Sequence, residues 1–168
     1  LVHTGRQAVS RPETPPVAAA AISNDRGHVL VGYAFAAILQ QVNNKAMGCG
    51  YTGRDWDSQA LAHYNWCMSG VPAASTYDER KRRDVMLQSC PNGNKSVLLN
   101  TRVKTCLSYA TQAAIQALES HVLGCGGQPP AWNTEAAVHY LWCMEGVNDQ
   151  FTQAEAQTRV AALNACRQ

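Results

Sequence analysis

The sequence predicts an all-α fold, a tandem duplication of a three-helix, disulfide-stapled unit forming a pseudo-twofold six-helix bundle. Three observations carry that expectation. First, His63-Tyr64-Asn65-Trp66-Cys67-Met68 returns as His139-Tyr140-Leu141-Trp142-Cys143-Met144, an offset of 139 − 63 = 76 residues. Sliding the chain on itself by that offset aligns Pro15/Pro91 through Cys90/Cys166 without a gap, and 24 of the 76 pairs are identical. Second, Ser96–Leu123 contains neither Gly nor Pro, and its apolar residues Leu99, Val103, Cys106 or Leu107, Ala110, Ala114 and Leu118 step by three and four, the stripe of an amphipathic helix. Third, six of the seven cysteines fall into equivalent triplets, Cys49/Cys67/Cys90 and Cys125/Cys143/Cys166. Sulfur kept at three positions through a duplication that lost most identities implies disulfides or metal there.

The organisation follows in chain order. Residues 1–14 have no counterpart in the second unit and no periodicity, and read as a flexible N-terminal arm; 15–90 is repeat unit 1 and 91–166 repeat unit 2, together one compact pseudo-dimeric domain. The opening of unit 1 is ambiguous, since Asn24-Asp25-Arg26-Gly27 could be the turn of a hairpin over 17–35. Its counterpart reads as helix over 96–122, so both are assigned to helix. Gly48-Cys49-Gly50 and Gly124-Cys125-Gly126 then end that helix with a cysteine at the apex of a turn.

A second helix, about 58–69 and 134–145, opens after Asp57-Ser58 or Asn133-Thr134. It is apolar nearly all round, with His63, Tyr64, Cys67 and Met68 on one side and Ala62 and Trp66, or Val138, Leu141 and Trp142, on the other, so it is expected to run through the middle of the fold. Gly70-Val71 and Gly146-Val147 stop it. Thr76-x-x-Glu79 and Thr152-x-x-Glu155 read as capping boxes opening a third helix, the second over 153–165. Helices two and three, joined by a short loop, should lie antiparallel, which predicts Cys49–Cys90 and Cys125–Cys166. Cys67 and Cys143 are left to each other, across the pseudo-twofold, or to Cys106, which lies toward the same end of helix one; Cys67–Cys143 is the expected bond. Cys106, opposite Leu30, is left as the odd thiol, buried as a small hydrophobe or available for an intermolecular bond that makes a dimer.

Composition narrows the function. The 168 residues are 15% charged and 46% hydrophobic with net charge +2, a globular composition whose field recommends no nucleic acid as partner. No apolar run reaches the ~18–20 residues of a membrane span. Disulfides point to an extracytoplasmic setting, periplasmic or secreted, and a start at Leu1 suits a mature exported protein or a trimmed chain.

Three constellations could carry chemistry. His63 with Cys67 and His139 with Cys143, each at i, i+4, could close a His2Cys2 site for zinc or copper between the repeats. The blander reading is a hydrogen-bonded core histidine beside a disulfide cysteine. The same pair could be a thiolate–imidazole dyad, but no phosphate loop, nucleophile elbow or HExxH accompanies it. Arg80-Lys81-Arg82-Arg83 could bind an acidic partner, although a solvated helix face is the commoner meaning of such a run. Trp56/Trp132 and Trp66/Trp142 could line a sugar platform or pack the core. The reading is an exported, non-catalytic binding protein without a cofactor that engages a protein partner as inhibitor, antagonist or adaptor. A metal-binding carrier using His63, Cys67, His139 and Cys143 is the rival.

Overall fold

The computed structural model describes residues 25–168, with side chains from Leu30 onward. The expected arm at 1–14 and the start of the hairpin segment lie outside that range. The described residues form six α-helices and no strand: α1 Asp25–Met47, α2 Ala60–Met68, α3 Ala73–Ser89, α4 Thr101–Leu123, α5 Ala136–Met144 and α6 Asp149–Cys166. Short 3-10 turns occupy Arg54–Trp56 and Lys95–Leu99. Over 25–35 the helical alternative therefore holds against the hairpin. Among the described residues no helix is long and apolar enough to cross a membrane.

The two long helices, α1 and α4, form the centre. Their apposed faces carry mostly small side chains, Ala34, Ile38 and Val42 from α1 and Ala110, Ala113, Ala114 and Leu118 from α4, all within one buried cluster. Alanine at the contact lets two helices approach closely, and the longer Ile, Val and Leu fill what remains. The expected helix over 96–122 begins at 101, because Asn100 takes an extended backbone (φ −65°, ψ 127°) and its side chain accepts the Val103 N–H at 3.2 Å. Each long helix ends on a left-handed glycine, Gly48 (φ 73°) and Gly124 (φ 71°). The following amides reach back, Cys49 N–H to Asn44 O at 3.0 Å and Cys125 N–H to Ser120 O at 2.9 Å.

The second and third helices depart from expectation in instructive ways. α2 and α5 lie outside the α1–α4 pair with one face buried; Ala60, His63 and Cys67, or Ala136, His139, Tyr140 and Cys143, point inward, while Met68, Leu141 and Trp142 remain exposed. They do not run through the middle, because the long helices already fill it. Thr76 and Thr152 are not N-caps either: α3 starts after Pro72 and α6 after Asn148. Each threonine sits one turn in, donating its hydroxyl to a helix carbonyl, Ala73 O at 2.7 Å and Asp149 O at 2.9 Å.

Three disulfides staple this arrangement. Cys49–Cys90 and Cys125–Cys166 form as the antiparallel geometry of helices two and three requires, each spanning 41 residues. The third is Cys106–Cys143, with Cα atoms 5.5 Å apart, which corrects both the expected Cys67–Cys143 bond and the expected free thiol at Cys106. Each second helix packs against the first helix of its own half, so Cys143 faces Cys106 on α4. Cys67 faces α1, where Leu30 stands at the position of Cys106, and it is buried in a cluster with Leu30, Tyr33 and Ala37. Cys106 is wholly buried and bonded, which removes it as a link between two chains.

Candidate functional site

On α3, Thr76, Glu79 and Arg83 share one side of the helix at spacings i, i+3 and i+7, as do Thr152, Glu155 and Arg159 on α6. That side turns inward. Arg83 is 0% exposed and Arg159 1%, and each guanidinium lies 5.4 Å from the centre of a tyrosine ring, Tyr33 or Tyr109. The same tyrosines meet the histidines edge-on, Tyr33 to His63 at 6.0 Å and Tyr109 to His139 at 5.9 Å, and lean on Trp66 and Trp142 at 5.3 and 5.5 Å. An Arg-Tyr-His-Trp stack, buried at its arginine, tyrosine and histidine and open at its tryptophan, thus occurs beside α2 and again beside α5.

The histidines are committed. His63 Nε2 lies 2.8 Å from Asp57 O and His139 Nε2 2.9 Å from Asn133 O; a carbonyl only accepts, so Nε2 carries the proton and donates. Burial pushes both below the ordinary imidazole value, against the raising effect of those carbonyls, and the neighbouring arginines push the same way as burial. Burial likewise raises Tyr33 and Tyr109, and for Tyr109 the hydrogen bond to Glu155 adds to the rise.

The two stacks differ in how the arginine is satisfied. Arg159 donates from Nε to Gln116 Oε1 at 2.8 Å and pairs through Nη1 with Glu155 Oε1 at 3.1 Å. Arg83 donates only from Nη1, to Asp55 O at 2.7 Å, leaving Nε and Nη2 buried without a hydrogen-bond partner. Its carboxylate has been drawn off, since Glu79 binds Arg82 at 2.8 Å and stands 3.9 Å from Arg83 Nε.

These contacts dissolve the basic run as a single patch. Four consecutive helical residues fan through 300°, so Arg80, Lys81, Arg82 and Arg83 cannot share a face. Arg83 is buried, which corrects its assignment to a binding surface, and Arg82 is held between Glu79 and Asp55 (2.5 Å). Arg80 and Lys81 are exposed.

The proposed metal ligands are likewise not brought together. The Cys143 sulfur is bonded to Cys106, both imidazole Nε2 atoms are engaged by backbone, and no group of three or more His, Cys, Asp or Glu among the described residues is placed to hold an ion. For the dyad reading, the α5 sulfur is equally spent in its disulfide.

What sequence reasoning missed is the outer surface of α5. Val138, Leu141, Trp142 and Met144 spread over one arc of the helix and are all exposed, Leu141 by 47%, and Phe151 just beyond the following loop is 68% exposed. The corresponding α2 positions include Ala62 and Asn65, and a polar residue in an otherwise apolar helix was the available sign that this side faces water. No known protein family, curated protein or solved structure matches the chain. The functional reading therefore rests on these surfaces.

Proposed function

We propose that this protein is an exported, non-catalytic binding protein that engages another protein through the outward strip of α5, in the manner of an inhibitor, antagonist or adaptor. The observation that carries the reading is the exposure of Val138, Leu141, Trp142 and Met144 on one arc of α5, with Phe151 exposed on α6. A contiguous apolar area open to water marks an interaction surface more often than a monomer's bare surface, and aromatic and large aliphatic side chains are what anchor such interfaces. Arg80 and Lys81 on α3 offer a separate cationic edge for an acidic partner. The disulfides favour an oxidising compartment.

The two halves are read as duplicated units related by a pseudo-twofold. Supporting this, residues 76 apart exchange backbone bonds reciprocally around the Gln59–Glu135 bridge, Ala60 N–H to Thr134 O at 2.9 Å and Ala136 N–H to Ser58 O at 3.0 Å.

Affinity capture from the native extracytoplasmic fraction tests the reading, using the wild-type chain and a Leu141→Glu/Phe151→Ser variant with unchanged circular dichroism. Burying a carboxylate in an apolar interface costs well over the ~1.4 kcal/mol that makes a factor of ten, so capture should fall at least tenfold. Equal capture by both proteins would remove α5 as the contact surface.

A further inference from the structure

We propose that the second half of the chain carries a binding slot for a neutral saccharide beside Trp132, a slot that is filled by the chain's own side chains beside Trp56. The proposal concerns neither α5 nor Phe151, so its failure would leave the protein-binding reading standing, and the reverse.

In the first half Trp56 is covered, with 5% exposure. The Tyr51 ring stacks on it at 5.0 Å with 25° between planes, and the Tyr51 hydroxyl donates to Met86 O at 3.0 Å. Asn44 holds that tyrosine in place, accepting its backbone N–H at 3.1 Å and donating to its carbonyl at 2.7 Å. Asn44 also donates to Gln41 Oε1 at 2.7 Å. Gln41, Asn44 and Tyr51 thus form a hydrogen-bonded plug beside the indole.

Seventy-six residues on, the plug is gone: Gln41, Asn44 and Tyr51 become Ala117, Ser120 and Gly127, while Trp56 becomes Trp132. One backbone tie is kept, since Ser120 Oγ accepts the Gly127 N–H at 3.3 Å as Asn44 Oδ1 accepts that of Tyr51. A cavity of about 440 Å³ is lined by all three truncated positions and by Trp132. Glycine is required at its edge, because a Cβ on Gly127 would stand 2.5 Å from the Trp132 ring.

The lining selects the ligand. The volume falls within the ~300–1,000 Å³ of small-molecule sites. No Asp, Glu, Lys or Arg lines it, and His121 at its rim is the one titratable side chain there, so an ionic ligand would shed water without a permanent counter-charge. The Trp132 indole offers a flat apolar wall, and the Ser120 and Thr134 hydroxyls and the Gln128 amide stand around it. Ser120 Oγ already accepts the Gly127 N–H and exposed Gln128 donates to Gly126 O, so a ligand hydroxyl would meet the Ser120 O–H, the Gln128 carbonyl and the Thr134 hydroxyl, which a purely apolar ring would not engage. A pyranose presents a C–H face to an indole and hydroxyls at its rim, the same combination of flat ring and edge hydroxyl that Tyr51 supplies to Trp56.

Isothermal titration calorimetry of the full chain tests this with glucose, galactose, N-acetylglucosamine, their methyl β-glycosides and β-linked disaccharides, with glucuronate as charged comparator and phenol as aromatic comparator. The expected result is at least one neutral saccharide with Kd of about 1 mM or tighter and glucuronate at least tenfold weaker. Equal binding of the methyl glycoside assigns the slot to a glycan end, and loss of binding on methylation assigns it to a free sugar; both uphold the slot. Ala117→Gln with Ser120→Asn restores two pieces of the plug and should weaken binding at least tenfold. Should that variant misfold, exposed Gln128→Ala is expected to lose at least threefold. No neutral saccharide binding at about 10 mM, binding indifferent to the folded variants, or phenol outbinding every saccharide would overturn the proposal.

Discussion

Replacing each buried arginine by methionine should have unequal consequences. Arg159→Met removes the donor to Gln116 Oε1 (2.8 Å) and the charge paired with Glu155 (3.1 Å), leaving a buried acceptor unpaired and a half-buried carboxylate with only the Tyr109 hydroxyl, while it relieves one unpartnered nitrogen, Nη2, against the two of Arg83. Removing one member of such a pair costs about 3–5 kcal/mol, and the partial exposure of Glu155 places the loss near the lower figure. Arg83→Met removes one hydrogen bond, to Asp55 O, but also two buried N–H groups, Nε and Nη2, that have no partner. A lost charged hydrogen bond costs about 1.5–3 kcal/mol, and each of the two unsatisfied donors removed returns about 1–3 kcal/mol, so Arg83→Met should be close to neutral or stabilising. Glu79 keeps its pair with Arg82. The two variants should therefore differ by about 2 kcal/mol or more, about 4–8 °C in Tm for a chain of this size. Thermal and urea unfolding at pH 7 read the difference. Equal destabilisation would refute the inference that Arg82 has drawn Glu79 away from Arg83, and a double Arg82→Ala/Arg83→Met variant less stable than the sum of its parts would locate the error at that pair.

Further outcomes follow from other contacts. Removing Cys106–Cys143 as a Cys106→Ala/Cys143→Ala pair opens a loop of 37 residues and should cost about 3–4 kcal/mol on chain-entropy grounds, read as a lower urea midpoint. His63 and His139 are held neutral, their folded values lying below the unfolded value of about 6.5. The unfolded chain therefore binds more protons as acid is added. Stability should be full above about pH 6.5 and decline as pH falls through the folded values, whereas a His63→Gln/His139→Gln variant should show a flatter Tm between about pH 7 and 5. Asn100→Ala deletes the side-chain cap of α4 and should cost about 1 kcal/mol, seen by chemical denaturation.

Much of this fold is written in local chemistry. Helix α4 follows from an unbroken stripe without Gly or Pro, and the glycines at 48 and 124 stop the long helices because only they take the left-handed turn cheaply. The two disulfides that join the end of each third helix to the loop leading into the second, Cys49–Cys90 and Cys125–Cys166, follow from a short hairpin. The third disulfide was legible only as an alternative, Cys106 with Cys67 or Cys143, because the choice depends on which first helix each second helix packs against, a tertiary matter that periodicity does not encode. The capping boxes misled because Thr76 and Glu79 serve the interior. Their spacing with Arg83 at i, i+3, i+7 marks a buried polar face as readily as a helix start. Arg83 could have been singled out, since it alone of the basic run has an arginine 76 residues on. The outer strip of α5 was hidden by the assumption that an apolar helix is an enclosed one.

The site of contact with a partner is most directly read by placing a photo-activatable cross-linking residue at Leu141, on the strip, and separately at Lys81, on the cationic edge of α3, in the otherwise intact chain. Irradiation in the native extracytoplasmic fraction should join a protein partner at position 141, whether or not position 81 also reacts, because the apolar strip is where water is excluded. A partner joined at 81 alone, or none joined at 141, would contradict the account.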